Sequence, residues 1–306
     1  MYSLHCITKL LVSILSICNS CICTTAFHTV LWSAREVVTR MSGSTNENAT
    51  NNDAVGKEST DITILGLGSL LSERSARTTF PNLSNFRLGR VPNYRRVFGH
   101  PASIFFSRGI ANMETKEISS LSAEYVKPNV NVEGSKNNGQ QSSGFICSIF
   151  EVPNNDMMHD GIPSRAFMER EEEFNIIEVE YIELESSQLE NQNDGKEKQN
   201  VGILCTSSTD EAYLERWGKQ RFEDNYRKYG IEQIWGWPYD SGLRPCAVYL
   251  RHCYLAAKSM GDICLNSFLD ETYLVDRTTT VRQYLEQYPE VLNTMPPESL
   301  VGRYSG

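Results

Sequence analysis

The 306-residue chain is short of positive charge. Its 29 Lys and Arg stand against 38 Asp and Glu, a net charge of −9. With no basic excess there is no electrostatic footprint for nucleic acid, and none is expected as a partner. Long apolar runs are missing too: the stretch Leu10–Ile17 is too short to cross a bilayer. Paired metal-ligand cysteines are absent from the folded part. Cys6, Cys18, Cys21 and Cys23 fall in the first 26 residues, and Cys147, Cys205, Cys246, Cys253 and Cys264 are dispersed with no Cys-x-x-Cys pair. An odd, scattered set argues against a disulfide framework and against zinc, so no metal is expected. Nucleotide-loop motifs are lacking as well. Position 71 is Leu where the dinucleotide fingerprint needs its last Gly, and no phosphate-loop Gly-Lys-Ser/Thr follows. No cofactor is expected.

What is present begins with a leader. His5 and Lys9 precede the apolar run, and small residues ending in Thr24-Thr-Ala26 offer a cleavage site, so residues 1–26 read as a signal peptide. Phe27–Met41 holds Arg35 and Arg40 against one acid, Glu36. A signal peptide, an Ala-Phe junction and a basic, hydroxyl-bearing segment together resemble the bipartite presequences of algae with secondary plastids. A plastid destination is the favoured expectation, secretion or the endomembrane system the alternative, with no stable membrane insertion after processing. Removing residues 1–41 takes away Lys9, Arg35 and Arg40 against Glu36, leaving a net charge near −11. Two sequons, Asn48-Ala-Thr50 and Asn82-Leu-Ser84, could be glycosylated in transit. Ser42–Thr60 is rich in Asn, Ser, Glu and Gly without hydrophobic period and reads as a disordered linker, so residues 27–60 form a transit-like segment plus linker.

The folded part starts at Asp61. Ile62–Leu65 reads as a strand that runs into a loop with Gly66, Gly68 and Ser69, and a helix opens near Ser72–Arg77. Glycines let the backbone turn sharply and let a ligand approach it, and main-chain N–H groups at a helix start attract an anion such as a carboxylate. Further strands are expected at Phe86–Phe98, broken by Pro92, at Ala102–Phe106, Glu117–Tyr125, Gly144–Phe150, Ile177–Leu184 and Val201–Thr206. Polar insertions at about 127–143 and at Ser186–Asn200 separate them. Repeated short strands with few helices between predict a mixed α/β (α+β) fold, a small β-barrel of mostly antiparallel strands with flanking helices. The barrel is assigned to residues 61–210, and a helical extension packing on it to 211–306.

The segment Ala166–Phe174 places four carboxylates within five positions. As a continuous helix it puts Glu169, Glu172 and Glu173 on one side and Glu171 on the other, between Phe167 at i−4 and Phe174 at i+3. A carboxylate held against rings with like charges next door has a raised pKa and suits a proton shuttle. The bland alternative is a solvated acidic helix face.

Several of these stretches resemble the γ-glutamylcyclotransferase-like family. Gly66-Leu-Gly-Ser-Leu-Leu71 is similar to that family's Tyr-Gly-Ser-Asn/Leu-Leu loop, and Gly109-Ile-Ala-Asn112 to its Gly-[IV]-Ala-[TN] strand. Gly144–Phe150 resembles its Gly-x-Val-Tyr-x-Leu strand. Phe167–Phe174 with Ile177–Tyr181 resembles its Leu-Asp-x-x-Glu-Gly-x-Tyr helix and next strand. The order matches, over about residues 62–207, and Pro245-x-x-x-Tyr249-Leu is loosely similar to a C-terminal helix of some members.

The resemblance implies cyclisation of a γ-glutamyl group to 5-oxoproline with release of an amine or peptide. It implies Glu171 as general acid/base and Gly66, Leu67, Gly68, Ser69 and Leu70 as the substrate-binding loop. The partner would be a small γ-glutamyl molecule. Two positions depart from the pattern: the loop Tyr is Leu67, and the Gly that follows the catalytic Glu is Glu172. A shifted register would put Glu173 or Glu169 in the site. The competing reading is a catalytically inactive small-molecule or protein-binding module on the same fold.

The C-terminal third predicts a helix over Glu211–Gly230, an aromatic turn-rich loop at Trp235–Arg244, a helix over Arg244–Ser259, a turn-and-strand at Phe268–Leu274 and a last helix over Thr279–Tyr288. The aromatic loop is expected to pack under the next helix, with a lid over the substrate as the alternative. Asp270 and Asp276 read as turn formers, and His100 and His252 as structural.

Overall fold

A computed structural model describes residues 61–127, 144–154, 158–159, 162–184 and 200–306. The signal peptide, the transit-like segment with its linker and its sequon at Asn48, and nearly all of the two polar insertions lie outside the described residues.

Strand β1 (Asp61–Gly66) is followed by a 3-10 turn at Ser69–Leu71 and helix α1 (Glu73–Thr79). The helix starts where expected because Ser72 caps it, its hydroxyl accepting from the Ser75 N–H at 3.1 Å. Then come β2 (Ser84–Pro92), β3 (Tyr94–Pro101), the short helix α2 (Ser103–Ser107), β4 (Glu117–Tyr125) and β5 (Gly144–Pro153). A two-residue pair, β6 (Met158–His159) with β7 (Ile162–Pro163), precedes helix α3 (Arg165–Arg170), β8 (Asn175–Glu183) and β9 (Asn200–Thr206).

Five of these strands close on themselves. β1 pairs antiparallel with β5, β5 with β2, β2 with β8 and β8 with β9, and β9 returns to β1 in parallel through Ile64 and Ile203. Closure removes free edges. Gly202 permits the last seam: a Cβ there would sit 2.9 Å from Leu65 Cγ, too close for any other residue. The mixed α/β architecture on a small barrel, expected from the sequence, is therefore what the chain forms.

Beyond β9 the sheet continues through β4 and β3. The C-terminal third adds helix α4 (Asp210–Asn225), strand β10 (Arg244–Pro245) on β4, helices α5 (Ala247–Ser259) and α6 (Asp262–Asp270), strand β11 (Thr272–Tyr273) on β3 and helix α7 (Val281–Gln287). One apolar core spans both parts. Leu65, Phe98, Leu121 and Phe145 from the strands meet Leu250, Cys253, Ala256 and Phe268 from α5 and α6. Small residues on α5 bring its axis close to the sheet.

Four sequence expectations need correction. Ala102–Phe106 is not a strand. Pro101 ends β3 and the chain turns helical, which sends Phe105 against Tyr249 (ring centroids 5.0 Å) and Phe106 against Tyr229 (5.1 Å) on different walls. The Glu211–Gly230 helix is kinked at Gly218 (φ 79°), stops at Asn225, and leads through a 3-10 turn to Gly230 in the left-handed region. The helix expected from Arg244 begins at Ala247, because Arg244 and Pro245 are extended against β4. In Phe268–Leu274 the first half is the end of α6. The aromatic loop packs rather than capping a cavity: Trp235 is buried and stacks on His100 at 4.2 Å, while Tyr239 is exposed. Asp276 acts as a turn former, accepting from the Thr278 and Thr279 N–H groups at 2.9 and 2.8 Å.

Candidate active site

The nine-residue helix read over Ala166–Phe174 ends early. α3 stops at Arg170, and Glu171 caps it with φ −104° and ψ 43°, outside helical geometry. Glu171, Glu172 and Glu173 therefore do not follow a helical wheel, and each finds a different environment.

Glu172 is buried and turned away from Glu171. Its carboxylate accepts from Ser103 Oγ (2.8 Å), Asn225 Nδ2 (3.0 Å) and Arg221 Nε (2.6 Å), with Arg221 Nη2 also at 2.6 Å. The like charge that its position next to Glu171 suggested is thus neutralised by Arg221. Glu173 is also buried. It accepts from the Tyr226 hydroxyl at 2.5 Å and the Ser103 N–H at 3.1 Å, and burial, with Glu172 nearby, pushes its pKa up to about 7. The main chain of this turn is clamped too. Trp217 Nε1 donates to the Glu172 carbonyl (3.0 Å), Trp235 Nε1 to that of Glu173 (3.1 Å) and Arg216 Nη1 to that of Phe174 (2.9 Å). None of these clamps is signalled by sequence spacing, since Arg216, Trp217 and Trp235 each lie more than forty residues downstream of the carbonyl they hold.

Glu171 faces a cavity of about 200 Å³, enough for a dipeptide-sized molecule. Burial raises its pKa, while Arg170, the Cys205 thiol that donates to it and the charge of Arg303 pull the other way. Arg170 Nε lies 3.4 Å from Glu171 Oε1 and its guanidinium covers Phe80 at 4.5 Å. The carboxylate thus has one loose ion pair and one weak thiol donor, leaving acceptor capacity for a ligand. Glu169, exposed and paired with Arg165 at 2.8 Å, does not line the cavity.

The glycine loop forms another wall. Leu67, Gly68, Ser69 and Leu70 line the same cavity as Glu171, and Gly66 lies just behind them at the end of β1. Gly68 opens the Ser69–Leu71 turn without a side-chain cap, so the first N–H groups of that turn have no intrahelical partner. A Cβ at Gly68 would stand 2.8 Å from the Tyr249 hydroxyl, so only Gly lets the main chain and the phenol meet. α5 brings the Tyr249 phenol to Gly68, with Cys253 and Ser120 as its hydrogen-bond partners. Beneath the loop lies Arg96, fully buried. Its Nη1 reaches the carbonyls of Leu67 (3.5 Å) and Ile146 (3.3 Å), and Nη2 donates to Ser267 Oγ (2.9 Å). Burial lowers its pKa to about 10, so it stays charged at neutral pH behind the loop.

The C-terminal third supplies the remaining wall, a contribution the sequence reading did not anticipate. His252, read as structural, lines the cavity beside Arg303 and Tyr304. The signal available was the Pro-x-x-x-Tyr-Leu similarity, which places Tyr249 and, three residues on, His252 near one helix face. His100 is structural as read, fully buried with no partner for either ring nitrogen, and burial lowers its pKa to about 3.

Among the described residues no group of three or more His, Cys, Asp or Glu is placed to hold a metal, and no helix is long and apolar enough to cross a membrane. The five described cysteines are unpaired.

No protein-family model and no curated protein matches the chain. Among solved structures it is similar to a yeast γ-glutamyl cyclotransferase specific to glutathione, at 13% identity over 76% of this chain and 96% of that one, with a TM-score of 0.38. It is similar also to an uncharacterised human protein, at 12% identity over 49% of this chain and 68% of that one (TM-score 0.31). A structure described as a γ-glutamyl cyclotransferase matches at 13% identity over 49% and 70% of the two chains (TM-score 0.29).

Proposed function

We propose that the protein is a γ-glutamylcyclotransferase-like enzyme that cyclises a γ-glutamyl group to 5-oxoproline. The observation that carries this reading is the placement of Glu171, a half-buried and under-satisfied carboxylate, in the same cavity as the Leu67–Leu70 loop.

The reaction is intramolecular. The α-amino nitrogen of the γ-glutamyl unit attacks its own γ-carbonyl carbon, a new C–N bond closes the five-membered ring, and the old amide C–N bond breaks. Glu171 takes the proton from the attacking ammonium and returns it to the departing nitrogen, so no water is consumed. Holding nucleophile and electrophile in the folded conformer removes much of the entropic barrier, and one positioned carboxylate contributes roughly 10²–10⁴ in rate. The free N–H groups at the start of the Ser69–Leu71 turn, backed by the Arg96 charge, suit the substrate carboxylate or the developing oxyanion. Ser69 adds a hydroxyl to the loop, and the Tyr249 hydroxyl takes the place of the phenol that Leu67 lacks.

The test is 5-oxoproline release from a panel of γ-glutamyl compounds, glutathione included, by the purified chain and by Glu171→Gln and Glu173→Gln. Loss of roughly 10²–10⁴ in kcat for Glu171→Gln, with Glu173→Gln far less affected, supports the assignment. The reverse pattern moves the base to Glu173. No product from any substrate favours the binding-module reading.

For the compartment, the composition of about the first forty residues, a signal peptide followed by a basic, hydroxyl-bearing segment, supports a plastid destination. A fluorescent fusion carrying that segment, expressed in an alga with secondary plastids, decides it: signal in the secretory system instead would select the endomembrane alternative.

A further inference from the structure

The connection between α1 and β2 holds a motif that the catalytic reading leaves unused. Asn82-Leu-Ser84 is an acceptor sequon with Leu, not Pro, at its centre, and among the described residues it is the one Asn-x-Ser/Thr tripeptide. The chain reverses over Phe80–Leu83. The Leu83 N–H donates to the Phe80 carbonyl at 3.1 Å, which puts Pro81 and Asn82 at the two central positions of a β-turn, where the fixed φ of Pro suits the first. Phe80 and Leu83, on either side, are buried in one apolar cluster. The tip between them is driven outward, and Pro81 and Asn82 are both exposed.

The turn is held without its own polar side chains. Arg77, tied to α1 by its ion pair with Glu73 at 2.6 Å, donates through Nη1 to the Leu83 carbonyl at 3.1 Å and to that of Pro81 at 3.4 Å. Neither the Asn82 carboxamide nor the exposed Ser84 hydroxyl has a partner among the described residues. Other asparagines are engaged by the fold. Asn112 accepts from the Glu114 and Thr115 N–H groups at 3.1 and 3.3 Å, and Asn225 donates to Glu172 at 3.0 Å. A bulky group on the Asn82 nitrogen therefore displaces no hydrogen bond of the domain, and Asn82 does not line the Glu171 cavity.

We propose that Asn82 is a modification site and carries an N-linked oligosaccharide. The donor is a lipid-linked oligosaccharide diphosphate in the lumen of the secretory system. The Asn82 amide nitrogen attacks the anomeric carbon of the first sugar, and a C–N bond replaces the C–O bond to the diphosphate. The lipid diphosphate leaves with that electron pair, and the amide proton passes to a base of the transferase. The Ser84 hydroxyl is the group that the transferase reads two residues on. The sugar then stands in solvent at the tip of the turn, as a bulky, solubilising group must. The proposal rests on the lumenal route expected from the signal peptide at residues 1–26 and is independent of the cyclotransferase reading.

The experiment expresses the full chain, leader included, in an alga with secondary plastids. The purified protein is treated with a peptide N-glycosidase in water labelled with heavy oxygen, which turns a glycosylated asparagine into a labelled acid. Fragment masses locate the label, and N-terminal sequencing reports whether the leader has been removed. The expected result is label at position 82, lost in Asn82→Gln and in Ser84→Ala and kept in Ser84→Thr. Both side chains are exposed and unpaired, so the urea midpoints of these variants and the parent, all made in bacteria without sugar, should coincide. Loss of the label then reports the sequon and not misfolding. Label at Asn48 without label at Asn82 overturns the proposal, because the chain has reached the lumen and the turn has not served as an acceptor. A processed leader with neither site labelled overturns it and leaves the lumenal route standing. An intact leader with neither site labelled overturns both.

Discussion

The turn from Glu171 to Phe174 has two faces, and they are built on opposite principles. On the buried face, the Glu172 carboxylate takes hydrogen bonds from three side chains, and the carbonyls of Glu172, Glu173 and Phe174 are each held by a side-chain N–H. On the cavity face, Glu171 has only Arg170 at 3.4 Å and a thiol. Saturation on one side is what permits deficiency on the other. A half-buried carboxylate with spare acceptor capacity is costly, and it persists here because its backbone position is fixed by neighbours that do not touch its charge. The proton-transfer group is kept hungry, while the groups that position it are satisfied.

Breaking the saturated face should therefore cost folding, and breaking the hungry face should cost turnover. The largest effect on stability is expected from Glu172→Ala, which strands Arg221, Asn225 and Ser103 around an empty site. Because Arg221 is one-third exposed, the penalty falls below that of a fully buried pair, roughly 2–4 kcal/mol in urea unfolding. Glu171→Gln, isosteric and on the cavity face, should move the same midpoint little while removing activity. A Glu171→Gln protein as unstable as Glu172→Ala would erase the distinction between the faces.

His100 tests the next layer. It lies between Trp235 and Phe174, at the back of the turn, and is held neutral with its pKa near 3. Since the folded value is depressed, its contribution is fully present above the ordinary value near 6.5 and is lost as pH falls towards 3, at up to about 1.4 kcal/mol per pH unit. Glu173 works the other way, since its raised pKa favours the fold as pH drops from about 7 towards 4.5. The difference between variant and parent isolates the histidine. His100→Phe should gain stability relative to the parent progressively from pH 6.5 to 4. A pH-independent difference would mean that His100 accepts a proton inside the fold.

A smaller effect is expected at Trp217. Replacing it with Phe keeps most of the ring and removes the N–H that holds the Glu172 carbonyl, at a cost of about 1–2 kcal/mol. If that clamp also positions Glu171, kcat falls several-fold while KM changes little. Unchanged kcat at reduced stability would confine the indole to a structural role.

How much of this was readable from sequence divides along contact distance. The loop was legible because Gly66, Gly68, Ser69 and the Ser72 cap act on their immediate neighbours, and local rules govern them. The barrel was legible because its strands carry their own patterns and turns. Glu171 could be singled out, yet the helical wheel that isolated it does not apply past Arg170, where α3 ends. What separates Glu171 from Glu172 in the fold is Arg221 and Ser103, at sequence distances of about fifty and seventy residues, which no periodicity reports. The wall that includes Arg108, His252 and Arg303 was illegible for the same reason: these residues line one cavity only once α5 has packed on the sheet.

The finest probe of the hungry face is Cys205. Its thiol donates to Glu171 and so favours the charged carboxylate, opposing the burial that raises the pKa of that group. The thiol itself is pushed up by burial and by the Glu171 charge, so it remains protonated and keeps donating at neutral pH. A general base must be deprotonated to act, so the acid limb of kcat/KM reports the Glu171 pKa in the free enzyme. Cys205→Ala removes one of the three influences that lower it. The acid limb should move to higher pH, while the plateau above it stays within about twofold, since alanine leaves the carboxylate in place. Arg303→Gln should move the limb in the same direction, because its charge is another of the three. A shift in the opposite direction, or none in either variant, would mean that Glu171 is not the group titrating on that limb. The buried Glu173, which lines the cavity and whose pKa is set by burial, Glu172, Tyr226 and the Ser103 N–H, would then be the group to follow.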